Sequence, residues 1–330
     1  MKLLVVVLPV LLVVGLQREA PERPAGGVPR QDERAMFAVL RRDGVIAPFA
    51  ALDGTRWSMP WPAGIQSMEL PLNVESVPRR WWGGWEPGAR WHAWLTHGSA
   101  RELTLTAPVV YAVHCSRRIG VRTDYRPAEA VPPVPVEPYP KDGLAVAGGL
   151  RVDPIEIVDR SSEERASLAV SLLDDFDRAE EAAIRGIRAA SGWRHPFGSE
   201  ERRKLPVHLE SWYRSRLDAA TTVSYIEAVR SYPPGPDDEE CGLETLFGGW
   251  VFQKTGGADT RTSIGARVTY CDRVGAMYVL PLGRVRVRDR EYWIYQYSGW
   301  DDEWYAVVEV RATRARVVAE YYAGGRMRCG

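Results

Sequence analysis

"MYVLPLGRVRVRDREYWIYQYSGWDDEWYAVVEVRATRARVVAEYY", Met277–Tyr322, is the stretch that decides the fold. It divides into four runs, MYVLPLGRVRVRD, EYWIYQYS, WYAVVEV and ARVVAEYY, rich in β-branched and aromatic residues and punctuated by Gly, Asp and Arg. That composition with that punctuation predicts strands joined by short turns. GRVRVRD alternates strictly, so one face of its strand is buried and the other wet.

The pattern extends upstream. VHLESWYR (Val207–Arg214), TTVSYIEAVRSY (Thr221–Tyr232), LFGGWVFQ (Leu246–Gln253) and SIGARVTYC (Ser263–Cys271) have the same character. Eight consecutive strands with short connections predict a large antiparallel sheet that curls or closes into a barrel. Before them lies a single helical pattern. Ser161 or Ser162 opens it, with Glu163 and Glu164 in the first turn, where carboxylates suit the positive end of the helix dipole. Leu168, Leu172, Phe176, Ala179, Ala183 and Ile187 recur at helical steps and form one apolar stripe, and Gly192 ends the run. The predicted class is α+β and mostly β, with one long amphipathic helix covering a sheet face or plugging an end.

The N-terminal half reads as a separate β region. Asp43-Gly44 and Asp53-Gly54 punctuate apolar runs after Ala35, and Asp-Gly supplies the positive φ angles of tight hairpins. Glu102–Leu105 and Val109–Cys115 are further strand candidates. Between Pro127 and Pro140 stand six prolines in fourteen residues, which removes ladder donors and favours extended chain. The predicted division is a signal peptide over 1–17, a Pro/Gly-rich tether over 18–34, a Trp-rich β domain over 35–126, a linker over 127–140, and a helix-plus-sheet domain over 141–330.

The leader carries the expectation of export. Lys2 precedes Leu3–Leu16, fourteen residues without a charge, the n-region and h-region of a secretory signal. A transmembrane helix needs about 20 apolar residues, so no stable span is expected once the signal is removed. The four cysteines, Cys115, Cys241, Cys271 and Cys329, are even in number and include no C-x-x-C pair. In an oxidising compartment they form two disulfides with three possible connectivities. Cys241–Cys271 closes the shorter loop and leaves Cys115 for Cys329.

Composition excludes one partner class. Forty-three basic residues balance forty-three acidic ones, so there is no electrostatic footprint for nucleic acid. Four of the basic residues are lysine, Lys2, Lys141, Lys204 and Lys254, the mark of a GC-rich genome.

RRWWGGWEPGARWHAWLTHG, Arg79–Gly98, gathers five of the thirteen tryptophans. Trp81, Trp82, Trp85 and Trp91 are the candidate ligand-binding residues, because an indole offers a broad apolar plane and an N–H to a sugar ring or a protein. The competing reading places these rings in the core of a small β domain. His92 and His97 are five apart, which puts them on opposite faces of a strand; with His114 as a third they make a poor metal site. No metal or cofactor is expected. Asp237–Glu240 and Asp301–Glu303 are runs of adjacent carboxylates. They would diverge rather than converge as calcium ligands do, and read as solvated turns.

The motifs of serine hydrolases, zinc proteases, P-loops and dinucleotide folds are all missing from the chain, which leans away from an enzyme. The functional expectation is an exported, secreted or periplasmic, non-catalytic binding or structural protein of a bacterial cell envelope, with a glycan or an envelope protein as candidate partner. The alternative is a secreted hydrolase, glycan-directed, using carboxylates such as Glu210, Glu227 or Glu309 on the C-terminal sheet. A second alternative is a small-ligand carrier, if the C-terminal strands enclose an apolar cavity.

Overall fold

The computed structural model describes residues 34–59, 88–96, 99–114, 116–133, 139–234, 242–255, 259–271, 273, 275–299 and 302–325. The expected signal peptide, most of the tether, Trp81, Trp82, Trp85, His97, Cys115, Cys241, Cys329, Asp237–Glu240 and Asp301 lie outside the described residues. The fold is mostly β, 60% strand and 14% helical, in antiparallel sheets.

The first sheet contains β1 (Arg34–Arg41), β2 (Val45–Asp53), β3 (Arg56–Ser58), β4 (Arg90–Leu95), β5 (Ala100–Val113), β6 (Ser116–Thr123) and β7 (Lys141–Gly148). Gly44 and Gly54 sit at φ 77° and 64° in its two tight turns, where the Asp-Gly pairs predicted them. The strand order β1-β7-β4-β5-β6-β2, with β1 paired back to β2, closes a six-strand barrel, and β3 hangs from β2. Each barrel strand contributes to an apolar cluster of Leu40, Ile46, Trp91, Leu103, Ile119 and Ala145 with their neighbours.

Two expectations are corrected here. Closure occurs in the N-terminal sheet, not the C-terminal one. The Pro-rich stretch also does not divide sheet from sheet, since β7 follows it and completes the barrel between β1 and β4. Gly143 makes that insertion possible: a Cβ there would stand 2.2 Å from the Trp94 carbonyl oxygen.

The eight C-terminal strands are all present but divide into two four-strand meanders. β10 (His208–Arg216), β11 (Thr221–Ser231), β12 (Leu243–Lys254) and β13 (Thr260–Tyr270) form one, the second sheet, and β14 (Met277–Val287), β15 (Arg290–Gly299), β16 (Asp302–Arg311) and β17 (Arg314–Gly325) the other, the third sheet. A short strap holds their edges: β8 (Val152–Asp153) pairs with β14, and β9 (Glu156–Ile157) with β10.

A single sheet fails because both faces of β15 and β16 are apolar and need cover. One face, with Tyr292, Ile294, Tyr305 and Val307, packs on the outside of the barrel through Phe37, Val39, Phe49 and Leu144. The other, with Trp293, Tyr295, Ala306 and Val308, packs on Val223, Phe252 and Trp250 of the neighbouring meander. β14 keeps the predicted alternation, Val285 and Val287 buried, Arg286 exposed.

The helical pattern is interrupted. α1 (Glu163–Ser171) and α2 (Leu173–Ser191) meet at Leu172, whose φ and ψ are −106° and 5°. The Ser171 hydroxyl donates to the Leu168 carbonyl at 2.8 Å, a back-bond that bends helices. Leu168, Leu172 and Phe176 stay on one side of the bend and cover Trp212, Ile226, Phe247 and Val251. Gly192 ends α2 at φ 74°, and the short α3 (Ser199–Arg203) follows. The layers run barrel, third sheet, second sheet, helices. No helix of the described residues is long and apolar enough to cross a membrane.

Candidate functional site

The one candidate tryptophan among the described residues, Trp91, is wholly buried in the barrel interior. Alternation on β4 sends Trp91, Ala93 and Leu95 inward and leaves Arg90 and His92 exposed. Trp91 therefore offers its ring to the core and not to a ligand. No group of three or more His, Cys, Asp or Glu that could hold a metal ion occurs among the described residues.

The carboxylates separate sharply. Among the described residues five glutamates are buried: Glu180, Glu227, Glu291, Glu303 and Glu309. Four of them are engaged by cations. Glu180 on α2 holds Arg202 at 3.1 Å and Arg230 at 2.7 Å, and accepts the Tyr232 hydroxyl. Glu291 takes Arg284 at 2.9 Å and Arg286 at 3.0 Å. Glu309 is surrounded by Arg290, Arg311 and Arg316, and these cations hold its carboxyl below the ordinary glutamate range against the opposing effect of burial.

Glu303 corrects the reading of Asp301–Glu303 as a solvated turn. It is fully buried at the start of β16, bonded to Lys141 Nζ at 2.7 Å, Tyr305 Oη at 2.6 Å and Gln296 Nε2 at 3.2 Å. Its neighbour Asp302 accepts the Tyr322 hydroxyl at 2.8 Å. The β alternation turns Glu303 inward, and Lys141 at the head of β7 supplies the charge that makes this tolerable. Lysine's rarity in an arginine-rich chain was the one available signal: a compact ammonium with three donors fits where a guanidinium fork does not.

The fifth, Glu227, differs. It lies on β11 opposite Ser211 of β10, and its partners are the Ser211 hydroxyl and the Val279 N–H of β14, the latter at 2.6 Å. Among the described residues no cation is paired with it. Burial, with the nearby Glu210 adding to the effect, pushes its carboxyl up to about 7.

Glu210 comes close through a β-bulge. The β10–β11 register shifts between Leu209 and Ser211, so Glu210 is the extra residue, and bulges re-aim side chains. Its carboxylate meets Arg273 at 2.8 Å, which also holds Glu244 at 2.7 Å and donates to the Tyr278 hydroxyl at 2.9 Å. Arg273 adopts φ 55° in the β13–β14 turn.

Of the three carboxylates the sequence offered, the fold brings Glu210 and Glu227 together and removes Glu309 into an arginine cage. An acid pushed up by burial with a second carboxyl near it is an arrangement that acid–base work can use, and structural networks perturb acids in the same way. The bulge itself left no mark in the sequence, because it arises from pairing with β11.

Among the depressions of the described surface are two that bear on a ligand. One, open and about 450 Å³, runs along α1 with Glu163, Glu164, Trp212 and Gln253. The other, about 130 Å³, lies where barrel, strap and third sheet meet. Neither includes Glu210 or Glu227. Between the two C-terminal sheets the space is occupied by rings, with Trp250 5.0 Å from Trp293 and 5.3 Å from Tyr225.

Cys271, just past β13, donates its N–H to the Gly242 carbonyl at 3.0 Å, which brings it beside the chain neighbour of Cys241. Compared with known proteins, the chain matches no family profile, no curated protein and no solved structure.

Proposed function

We propose that the chain is an exported, non-catalytic β-rich protein of a bacterial cell envelope, secreted or periplasmic, acting through binding or structure. The observation that carries this reading is the fate of the buried carboxylates. Among the described residues four of the five are held by cations within the fold, so their charge serves cohesion between layers rather than chemistry on a substrate. The leader, Lys2 followed by fourteen uncharged residues, and the even cysteine count support export. The Cys271–Gly242 hydrogen bond supports pairing Cys241 with Cys271, leaving Cys115 for Cys329.

A second reading has one specific observation in its favour. Glu227, a buried carboxyl pushed up by burial, has Glu210 near it at a bulge, and a glycan hydrolase works with two carboxyl groups. In that reading Glu227 is the acid and Glu210 the carboxylate.

One experiment separates the two. The mature chain is mixed with insoluble envelope glycan, sedimented, and the supernatant assayed for released sugar. Co-sedimentation without release supports the binding reading. Release that disappears in Glu227→Gln, with the variant still folded, overturns it in favour of hydrolysis. Retention of the intact chain inside the cell with four titratable thiols would overturn the export proposal itself.

A further inference from the structure

We infer that one end of the third sheet is a docking surface for an acidic polysaccharide, gripped by Arg290, Arg311, Arg314 and Arg316. The inference deepens the binding reading above and rests on it for the source of the partner. The surface itself rests on geometry.

Arginine recurs at two turns of the sequence, RVRVRDR at Arg284–Arg290 and RATRAR at Arg311–Arg316. In an antiparallel meander the β14–β15 and β16–β17 turns lie at the same end of the sheet, so the two runs meet there. A balanced total charge conceals this. Alternation then sorts the arginines by face. Arg284 and Arg286 go with Glu291 to the side of the second sheet, where Ser215 also reaches that carboxylate. Arg290, Arg311 and Arg316 turn to the opposite face and ring Glu309 at 3.6, 2.9 and 3.1 Å.

One carboxylate cannot neutralise three guanidiniums. Glu309 is buried, whereas the three arginine side chains are each a little under half exposed. The carboxylate thus anchors them from beneath and leaves them open to solvent. Arg314, paired across the strands with Arg311, is exposed and has neither ion pair nor hydrogen bond among the described residues. Four positive charges stand over one negative. Ordering side chains is part of the cost of binding, and Glu309 has already met much of it.

The layout sets the kind of partner. The four arginines spread over β15, β16 and β17, on strands about 5 Å apart, with Arg314 and Arg316 about 7 Å apart along β17. A single small anion meets one or two of these forks. A chain with an acidic group on successive sugars meets all four, and the planar fork suits such groups. A bilayer surface would also ask for apolar contact, and Val317 is the one large apolar side chain exposed on β15–β17 among the described residues. In the exported setting proposed above, the polyanion at hand is glycan rather than nucleic acid.

The test is binding of the full chain to immobilised dextran sulfate, polygalacturonate and neutral dextran, at low and at high salt. Both acidic polymers are expected to bind, less tightly as salt rises, and neutral dextran not at all. Arg314→Gln combined with Arg316→Gln should weaken binding about tenfold. Glu309 keeps Arg290 and Arg311 in that variant, so the fold is retained; Arg314→Gln alone, which breaks no ion pair, should already weaken binding. Arg185→Gln combined with Arg188→Gln, the same loss of charge on the exposed side of α2, should leave it unchanged. Absence of binding at low salt overturns the proposal. So does an equal loss in the two double variants, equal binding to neutral dextran, or tighter binding to duplex DNA or phosphatidylglycerol vesicles than to either acidic polymer. Binding that the Arg314 and Arg316 substitutions weaken supports the surface whether or not the chain sediments with envelope glycan, so the two readings fail separately.

Discussion

The barrel interior and the interface between the barrel and the third sheet are two solutions to the same problem of burial. Inside the barrel, Trp91, Leu103, Ile46 and Ile119 exclude water with apolar surface alone. A few ångströms outward, on the other face of the same strands, Phe37 and Phe49 share their layer with Lys141, Glu303, Tyr305 and Gln296. There Arg41 also lies with its guanidinium 4.0 Å from the Tyr139 ring and 4.7 Å from that of Tyr111. The first region is held by packing and tolerates any filling of the right shape. The second holds charges that cost energy to bury and repay it only when every partner is present. Registry between barrel and sheet follows from that condition: a slipped interface would strand Lys141 and Glu303 apart.

The largest effects break this comparison from each side. Trp91→Ala should destabilise by about 3–5 kcal/mol, the usual cost of deleting a buried indole, read from chemical denaturation. Lys141→Met should cost a similar ~3–5 kcal/mol, because it leaves Glu303 buried and uncompensated. The two losses differ in what repairs them. Adding Glu303→Leu to Lys141→Met should recover most of the stability, since replacing both ions at once removes the stranded charge. No second substitution on the outward face should rescue Trp91→Ala. A double variant as unstable as Lys141→Met alone would refute the account of the interface as a matched pair.

That distinction also marks where sequence reading stops. The eight C-terminal strands, the Asp43-Gly44 and Asp53-Gly54 turns, the apolar stripe through Leu168, Leu172 and Phe176, and the end of the helix at Gly192 were all legible, because each depends on neighbours within a few residues. The partners of those strands were not. Alternation in MYVLPLGRVRVRD says that a strand has faces, not which sheet will cover them, and so two meanders were read as one sheet. Closure of the barrel by β7 depends on a strand more than a hundred residues from β1. Glu210 and Glu227 were named with Glu309 as carboxylates on a sheet; their convergence depends on a bulge that only the β10–β11 pairing creates. Glu303 escapes the sequence for the same reason. Its neutralising lysine is 162 residues away.

Glu227 sharpens the comparison, since it is a buried acid with hydroxyl and amide partners but no cation. Its carboxyl, pushed from 4.5 to about 7, binds a proton more tightly in the folded chain than in the unfolded one. Stability contributed by this group is therefore fully present below about pH 4.5 and is lost as pH rises through about 7. The loss is on the order of 3 kcal/mol. Glu227→Gln should remove that slope between these limits and leave a protein more stable than the parent above pH 7. His195, which burial moves downward, favours stability at the higher end of the same range, so the difference between variant and parent isolates Glu227. Equal slopes for the two would mean that the carboxyl is ionised throughout.

The smallest effect concerns a cation at the surface. Arg214 reaches Glu156 in the strap through two hydrogen bonds of 2.7 and 2.8 Å, and Glu164 on α1 at 2.6 Å. It outnumbers the single bridge of Lys141, and a tally of contacts would rank it higher. Both acids are more than half exposed, however, so water solvates the ions once the arginine is gone. Arg214→Ala should therefore cost only about 0.2–1 kcal/mol, less at high salt, measured by denaturation at two ionic strengths. A loss matching that of Lys141→Met would show that the strap, and not the buried pair, fixes the third sheet against its neighbours. A small loss that shrinks with salt leaves burial, rather than the number of contacts, as what separates the two sites.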